Sequence, residues 1–430
     1  MKALERTVRV VPLSEWNSGT LEGAVLSPKG RLLATSLASE GRLYVDELRS
    51  GLRITTTSWV GLVRFDDFEV RITPKLAGEN IGLVRMIEFA TGISAFKRIR
   101  SLQKVSQGVN LLDLVVLLFA EACEALIRQG LQYDYVDRQG DLPHIRGRLM
   151  VDRQVLRRYG RVDRVECRYD EHESDIVENQ VLTAAIGLVV SRVKDEGVKI
   201  RLRRLRTVFE GACAAYTGSI TEARSVIVYN RLNEHYREAH ELAWLIFEGL
   251  GVDELFQSQG SRCFAFLINM NNLFELFVSR WIKRLLRPTA LGVRCQAKHR
   301  SIIWNATQNR SYASAIPDLL VEGGDVGSNR VAIDAKYKLY GERKLAPSDV
   351  YQLFLYAYAF GRHNEQAIPK AILVYPASFD ALKEQQLEIR NVQGASGALI
   401  HALGLHIPSA IEEANAGFKG PISRGFLNAV

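Results

Sequence analysis

Two acidic residues and a lysine in the last third of the chain have the types and spacing that handle phosphate esters. Asp318 follows Pro317, and 16 residues later the segment RVAIDAKYK sets Asp334 and Lys336 two positions apart. The strand period of two assigns Ala332, Asp334 and Lys336 to one face and Val331, Ile333, Ala335 and Tyr337 to the other. If Glu322 pairs with Arg330 around the turn GGDVGSN, register alone puts Asp318 opposite Asp334. Two carboxylates roughly 5 Å apart across a ladder repel unless something positive sits between them. Mg²⁺ meets that need, because two carboxylates, a backbone carbonyl such as that of Ala335 and a phosphate oxygen suffice beside its waters. Mn²⁺ is the natural substitute. Such an ion polarises a phosphate and activates water, while Lys336 orients that water and offsets charge growing on the phosphate. A D-x-K triplet alone fits a solvated surface hairpin as well. The weight comes from the Pro-Asp step, the spacing, the turn and the strand-like arms occurring together.

Further polar groups lie near these three. In MNNLFELFVSRWIKRLL, Leu273, Phe274, Phe277, Val278 and Trp281 form a buried helical stripe with Glu275 at its edge. A helix just ahead of the hairpin delivers Glu275 as a third metal ligand, although a pairing with a nearby arginine fits the same placement. Downstream, SDVYQLFLYAYAF offers Gln352 to hold a water or phosphate, with Tyr351 and Tyr356 read as helix packing.

The elements that must position these groups divide the chain into blocks. Residues 1–105 read as a β-rich N-terminal domain, with RTVRVV, GRLYV, LRITTTSWVGLVRF and FEVRITPKL as strands. Residues 106–255 read as mostly helical. They hold a buried helix from Leu111 to Ile127 stopped at Gly130, and helical segments near 176–195, 200–214 and 230–249. Residues 256–380 read helix, hairpin, strand, helix, strand, the order of an α/β domain with a mixed sheet. Residues 381–430 show no clear period and receive no function. The arginines from Arg146 to Arg164 and the run KIRLRRLR at 199–206 read first as solvated faces and second as phosphate contacts.

Composition narrows the class. A chain of 430 residues with 47% hydrophobic and 24% charged residues folds into more than one core, and its formal net charge of +8 favours an anionic partner. Cys123, Cys167, Cys213, Cys263 and Cys295 lie far apart, which fits neither a disulfide framework nor a zinc site and suits a reducing cytoplasm. No secretory signal is visible, and the apolar stretch Leu111 to Ile127 carries Asp113, Glu121 and Glu124, so no membrane span is expected. No G-x-x-x-x-G-K-[ST] occurs, and His235 and His240, five apart, share no helix face well.

Taken together, FLINMNNLFELFV at 266–278, IPDLLV at 316–321, AIDAKYK at 332–338 and DVYQLFLYA at 349–357 resemble the McrC family, the nuclease subunits of McrBC-type restriction systems. VGLVRFDDFEVRITPKL at 60–76, IRGRL at 145–149 and YDEHESDIVENQVL at 169–182 extend the likeness over about residues 59–380. The resemblance implies a C-terminal PD-(D/E)XK nuclease domain with metal acids at Asp318 and Asp334, lysine at Lys336 and helix glutamate at Glu275. It also implies cleavage of double-stranded DNA beside a McrB-like AAA+ GTPase ring, with the β-rich N-terminal part docking on that ring and stimulating it. Many relatives carry Asp where this chain has Asn269. A self-sufficient nuclease and a non-catalytic activator of an AAA+ motor are the competing readings.

Overall fold

In the first 75 residues, short β-branched and aromatic runs pair into two small sheets. The computed structural model describes residues 8–75, 79–92, 111–160, 163–250, 263–296, 299–323, 330–341, 343–361, 368–378 and 383–430. The protein is mixed α/β, with twelve α-helices among the described residues and none of them long and apolar enough to cross a membrane. Two compact units emerge, one of residues 1–108 and 262–430 and the other of residues 109–261.

The first unit does not follow the linear blocks of the chain. Strand Arg9–Ser14 runs parallel to Phe68–Thr73, which pairs antiparallel with Trp59–Arg64. The fourth member of that sheet is Phe264–Asn269, which returns from far along the sequence to pair antiparallel with Trp59–Arg64. Gly61 permits this approach, since at its φ of +140° a Cβ would stand 2.1 Å from the Phe266 carbonyl oxygen. The N-terminal block and the α/β block therefore share a sheet, a long-range pairing that local sequence pattern does not carry. Two helices, Pro28–Ser39 and Glu79–Thr91, also lie between the strands of the block that the sequence reads as β-rich. The first has an N-cap at Ser27 and Pro28 in its first turn but buries only Gly30, Ala34 and Leu37, too thin a stripe to announce itself.

A six-stranded mixed sheet fills the C-terminal part of this unit, in the order Gly292–Cys295, Leu319–Glu322, Arg330–Ala335, Lys370–Pro376, Ser396–Leu405, Lys383–Arg390. Arg330–Ala335, helix Pro347–Phe360 and Lys370–Pro376 form a parallel βαβ unit. The helix covers one face through Leu353, Tyr356, Ala357 and Phe360 against Leu320, Ala332, Ala371 and Leu373. Helix Met270–Leu286 packs beside helix Ile407–Asn415, and Trp281 Nε1 donates to the Ala410 carbonyl at 3.0 Å. The stretch left without assignment after Phe379 thus supplies two strands and two helices. Its strand SGALIHALGL lies inside the sheet, where burial on both faces erases the alternation by which a strand is recognised.

In the second unit, helix Leu111–Gln129 packs against Glu196–Ala212 and Arg237–Leu250, both of which also pack on Val177–Val189, and Gly130 ends the first at φ +96°. At a three-stranded sheet of Asp134–Leu142, Val165–Glu173 and Arg148–Leu149, two of the arginines between 146 and 164 form surface ion pairs, Arg146 with Glu171 and Arg164 with Asp141, and Arg168 pairs with Asp137. His240 is fully buried and both ring nitrogens are engaged. Nε2 donates to the Glu178 carbonyl at 2.9 Å, so Nδ1 accepts from the Tyr229 hydroxyl at 3.0 Å. Burial pushes this imidazole down to about 4, which keeps it neutral.

Candidate active site

The hairpin pairs as register predicts, with Glu322 against Arg330 and Leu319 against Ile333. The turn residues 324–329 lie outside the described residues. One step past the last pair, Asp318 turns its side chain onto the neighbouring strand and accepts the Ala335 N–H at Oδ2, 2.7 Å away. Its own carbonyl accepts the Gln296 N–H at 2.9 Å. Asp334 is 2% exposed at the end of a strand that is buried from Val331 to Ala335. Lys336 Nζ approaches Asp334 Oδ2 to 3.0 Å as an ion pair, but without the alignment of a hydrogen bond. That buried oxygen is left without a directed donor, a costly arrangement for a group with structural work alone.

The electrostatics follow from burial and crowding of like charge. Burial, then the neighbouring Asp334 carboxylate, pushes Asp318 up to about 7 despite the Ala335 N–H and Lys336. Asp334 is likewise raised by burial, against the pull of Lys336. Burial opposes the Lys336 charge, yet the Asp334 carboxylate holds its ammonium above the ordinary value. Glu275 is half-buried on helix Met270–Leu286, close enough for its charge to raise both aspartates.

Among the described residues no arginine pairs with Glu275, the alternative that its position on the helix left open. Its Oε1 accepts from Gln296 Nε2 at 2.8 Å. Gln296, in the left-handed region at φ +44°, thus ties the Asp318 main chain to the Glu275 side chain. Nothing in its sequence context marks it, because the contact depends on the edge strand that ends beside it. The predicted ligand set of Asp318, Asp334 and Glu275 is nonetheless not preassembled. Among the described residues no three His, Cys, Asp or Glu side chains converge into a metal cage. Lys336 takes the near position on Asp334. What the residues offer is an open pair of aspartates, which suits an ion that keeps waters and takes a phosphate oxygen.

Gln352 reaches the site through an intermediary. Its Nε2 donates to the Tyr356 hydroxyl at 2.9 Å, and that hydroxyl donates to the Ile316 carbonyl at 3.0 Å, two residues before Asp318. Tyr356 packs as expected at 4% exposure, whereas Tyr351 does not, being 72% exposed on the outer side of the helix. A second charged pair was missed by residue-level reasoning. Lys338 Nζ lies 2.8 Å from Asp349 Oδ2, and the Tyr340 hydroxyl donates to the same oxygen. The available signal was a second lysine two residues after Lys336, inside the segment AIDAKYK. Asn269 caps helix Met270–Leu286 by accepting from the Asn271 N–H at 2.9 Å.

A family model described as "McrBC 5-methylcytosine restriction system component" matches residues 54–376, well over half of the chain. The chain belongs to this family. Asp318, Asp334, Lys336, Glu275 and Gln352 all fall within the matched residues, and the turn at Glu15 and Trp16 precedes them. Comparison with curated proteins gives no match. Among solved structures, the chain is similar to one in a refined half-complex from a tetradecameric assembly of Thermococcus gammatolerans McrB AAA+ hexamers with bound McrC. The TM-score is 0.60 at 18% identity, covering 98% of this chain and 100% of that one. A second similarity is to the cryo-EM structure of the Thermococcus gammatolerans McrBC complex, with TM-score 0.44, 19% identity, and 64% and 88% coverage. At such identities the first similarity shows the shared fold.

Proposed function

We propose that this family member is the Mg²⁺-dependent endonuclease subunit of a McrBC-type restriction complex. It cuts double-stranded DNA through a PD-(D/E)XK site while bound to a McrB-like AAA+ GTPase ring whose GTPase it stimulates. The observation that carries this reading is the pair Asp318 and Asp334, two adjacent, largely buried carboxylates with raised pKa values beside a single lysine. Active sites are where burial and like-charge neighbours are arranged to shift pKa values, so such a pair is a functional-site candidate.

Charge balance supports the same reading. With Asp318, Asp334 and Glu275 ionised against Lys336, two negative charges remain, and a divalent cation cancels them. Asp318 and Asp334 would hold Mg²⁺ or Mn²⁺, with Glu275 the third candidate ligand, and the ion would polarise a phosphate and acidify a bound water. The residues of the chain do the rest. The Ala335 N–H fixes the orientation of Asp318, Gln296 steadies Glu275, and the Lys336 ammonium offsets negative charge that builds on the phosphate under attack. The McrB-bearing assembly of the similar solved structure supports the motor partner.

The decisive test uses the full-length chain with its AAA+ partner, GTP, Mg²⁺ and linear double-stranded DNA. Asp334→Ala should slow cleavage by on the order of a thousandfold or more, while the GTPase rate of the partner stays stimulated. Cleavage at the wild-type rate by that variant defeats the assignment. Cutting by the isolated chain with Mg²⁺ alone would favour a self-sufficient nuclease.

A further inference from the structure

Directly after Lys336 comes Tyr337, a side chain for which the proposed reaction has no use. It is 1% exposed, and a tyrosine hydroxyl that deep requires a partner. The partner comes from the other end of the chain: the hydroxyl donates to Glu15 Oε1 at 2.7 Å across 322 positions of sequence. Glu15 is itself 1% exposed and also accepts the Lys75 N–H. Next to it the Trp16 ring lies 5.3 Å from the Tyr337 ring, centroid to centroid, while Phe274 lies 5.7 Å away on another side. Tyr337 therefore touches the neighbour of Glu275 and is joined by the backbone to Lys336.

The turn that makes these contacts is strained and firmly held. Trp16 has φ +53°, a conformation that a bulky L residue adopts at a cost. Among the hydrogen bonds that hold the turn, the Glu15 N–H donates to Thr73 O at 3.1 Å, the Trp16 N–H to Thr57 O at 3.2 Å, the Asn17 N–H to Thr56 Oγ1 at 2.9 Å, and the Thr56 hydroxyl to Ser14 O at 2.7 Å. Strain persists only where the surroundings over-determine it, and it concentrates where function uses the geometry. On the other side of the contact, the Lys336 N–H donates to Val374 O and the Lys338 N–H to Lys336 O, both at 2.9 Å.

We propose that the Glu15–Trp16 turn is a positioning clamp for the cleavage site: it fixes Tyr337, and Tyr337 fixes the backbone from which Lys336 acts and, through Phe274, the helix that carries Glu275. Glu15 and Trp16 precede the residues matched by the family model, whereas Tyr337 lies within them. The inference rests on the nuclease reading for the reaction that it serves.

The test compares wild type, Tyr337→Phe, Glu15→Ala, the double variant and Glu15→Gln, all full length. Single-turnover cleavage is measured with the AAA+ partner, GTP and saturating Mg²⁺ and DNA, and amide hydrogen exchange at residues 335–338 is measured without metal. Tyr337→Phe keeps the ring between Trp16 and Phe274, and a melting curve confirms its folding. Both single variants should cut about tenfold to a hundredfold more slowly, as supporting residues typically do, with the half-saturating Mg²⁺ concentration unchanged within about twofold. The double variant should be no slower than the worse single, because one contact is being removed twice. Glu15→Gln, whose amide oxygen accepts both bonds, should keep the wild-type rate. Exchange at Lys336 and Lys338 should accelerate in Tyr337→Phe and Glu15→Ala and stay slow in Glu15→Gln. Wild-type cutting and unchanged exchange in Tyr337→Phe, or additive losses in the double variant, overturn the clamp. Clamp-dependent exchange in a wild-type protein that never cuts DNA overturns its cleavage role together with the nuclease reading.

Discussion

Buried polar groups occur in both units of this chain, and they are treated in opposite ways. In the unit of residues 109–261, the Asn179 amide and the Tyr236 hydroxyl are satisfied in turn, although the Gln132 side-chain oxygen is buried without a partner. Asn179 Nδ2 donates to the Gln132 and Ser174 carbonyls, its Oδ1 accepts from the Tyr236 hydroxyl, and that hydroxyl accepts the Gln132 N–H. His240 nearby is neutral with both nitrogens bonded. Around Asp334, in the other unit, two carboxylates crowd one lysine and a buried oxygen lacks a directed donor. A satisfied network specifies a fold, whereas a crowded, underbonded one spends stability that only a ligand returns.

This contrast can be broken most sharply by Asn179→Ala, which strands two carbonyls and a tyrosine hydroxyl in the core. The expected loss is about 3 kcal/mol, read as a lower urea midpoint for unfolding; a midpoint within error of wild type would mean that the network is dispensable.

A smaller effect of opposite sign belongs to Asp318. Its folded carboxyl is raised above the value of an unfolded chain, so the folded state keeps a proton that the unfolded state releases. That contribution is complete below about pH 4, the ordinary carboxylate value, and is lost as pH rises through about 7. In chelator, Asp318→Asn should therefore be the more stable protein at pH 8, by on the order of 2 kcal/mol, and lose that advantage by pH 5. Mg²⁺ should narrow the gap at pH 8 by stabilising wild type alone. Melting curves across that range check both statements, and a variant less stable than wild type at pH 8 would count against a strained acid pair.

Least should come from Arg168→Ala. Its partner Asp137 is solvent-exposed, and the pair is screened by water, so the unfolding midpoint should not move measurably.

How far these features are legible in the sequence depends on the distance over which they are encoded. The hairpin register that brings Asp318 to Asp334 is local arithmetic, and the pairing of Glu322 with Arg330 follows it. Helix Leu111–Gln129 and its stop at Gly130 were readable for the same reason. The bond from Gln296 to Glu275, the pairing of Lys338 with Asp349 and the bond from Tyr356 to the Ile316 carbonyl were not, since each depends on how separate elements stack.

Residue order by itself determined which groups are available for chemistry: an aspartate after Pro317, an aspartate and a lysine on alternate positions of one strand, and a glutamate at the rim of an apolar helix. Side-chain periodicity is a property of the backbone and is written into a few consecutive residues. Only the tertiary structure decided that Phe264–Asn269 joins a sheet built by the first 75 residues and that Glu15 reaches Tyr337. Only it decided that Asp318 sits near neutrality, because burial and neighbouring charge are set by residues that meet in space and not in sequence.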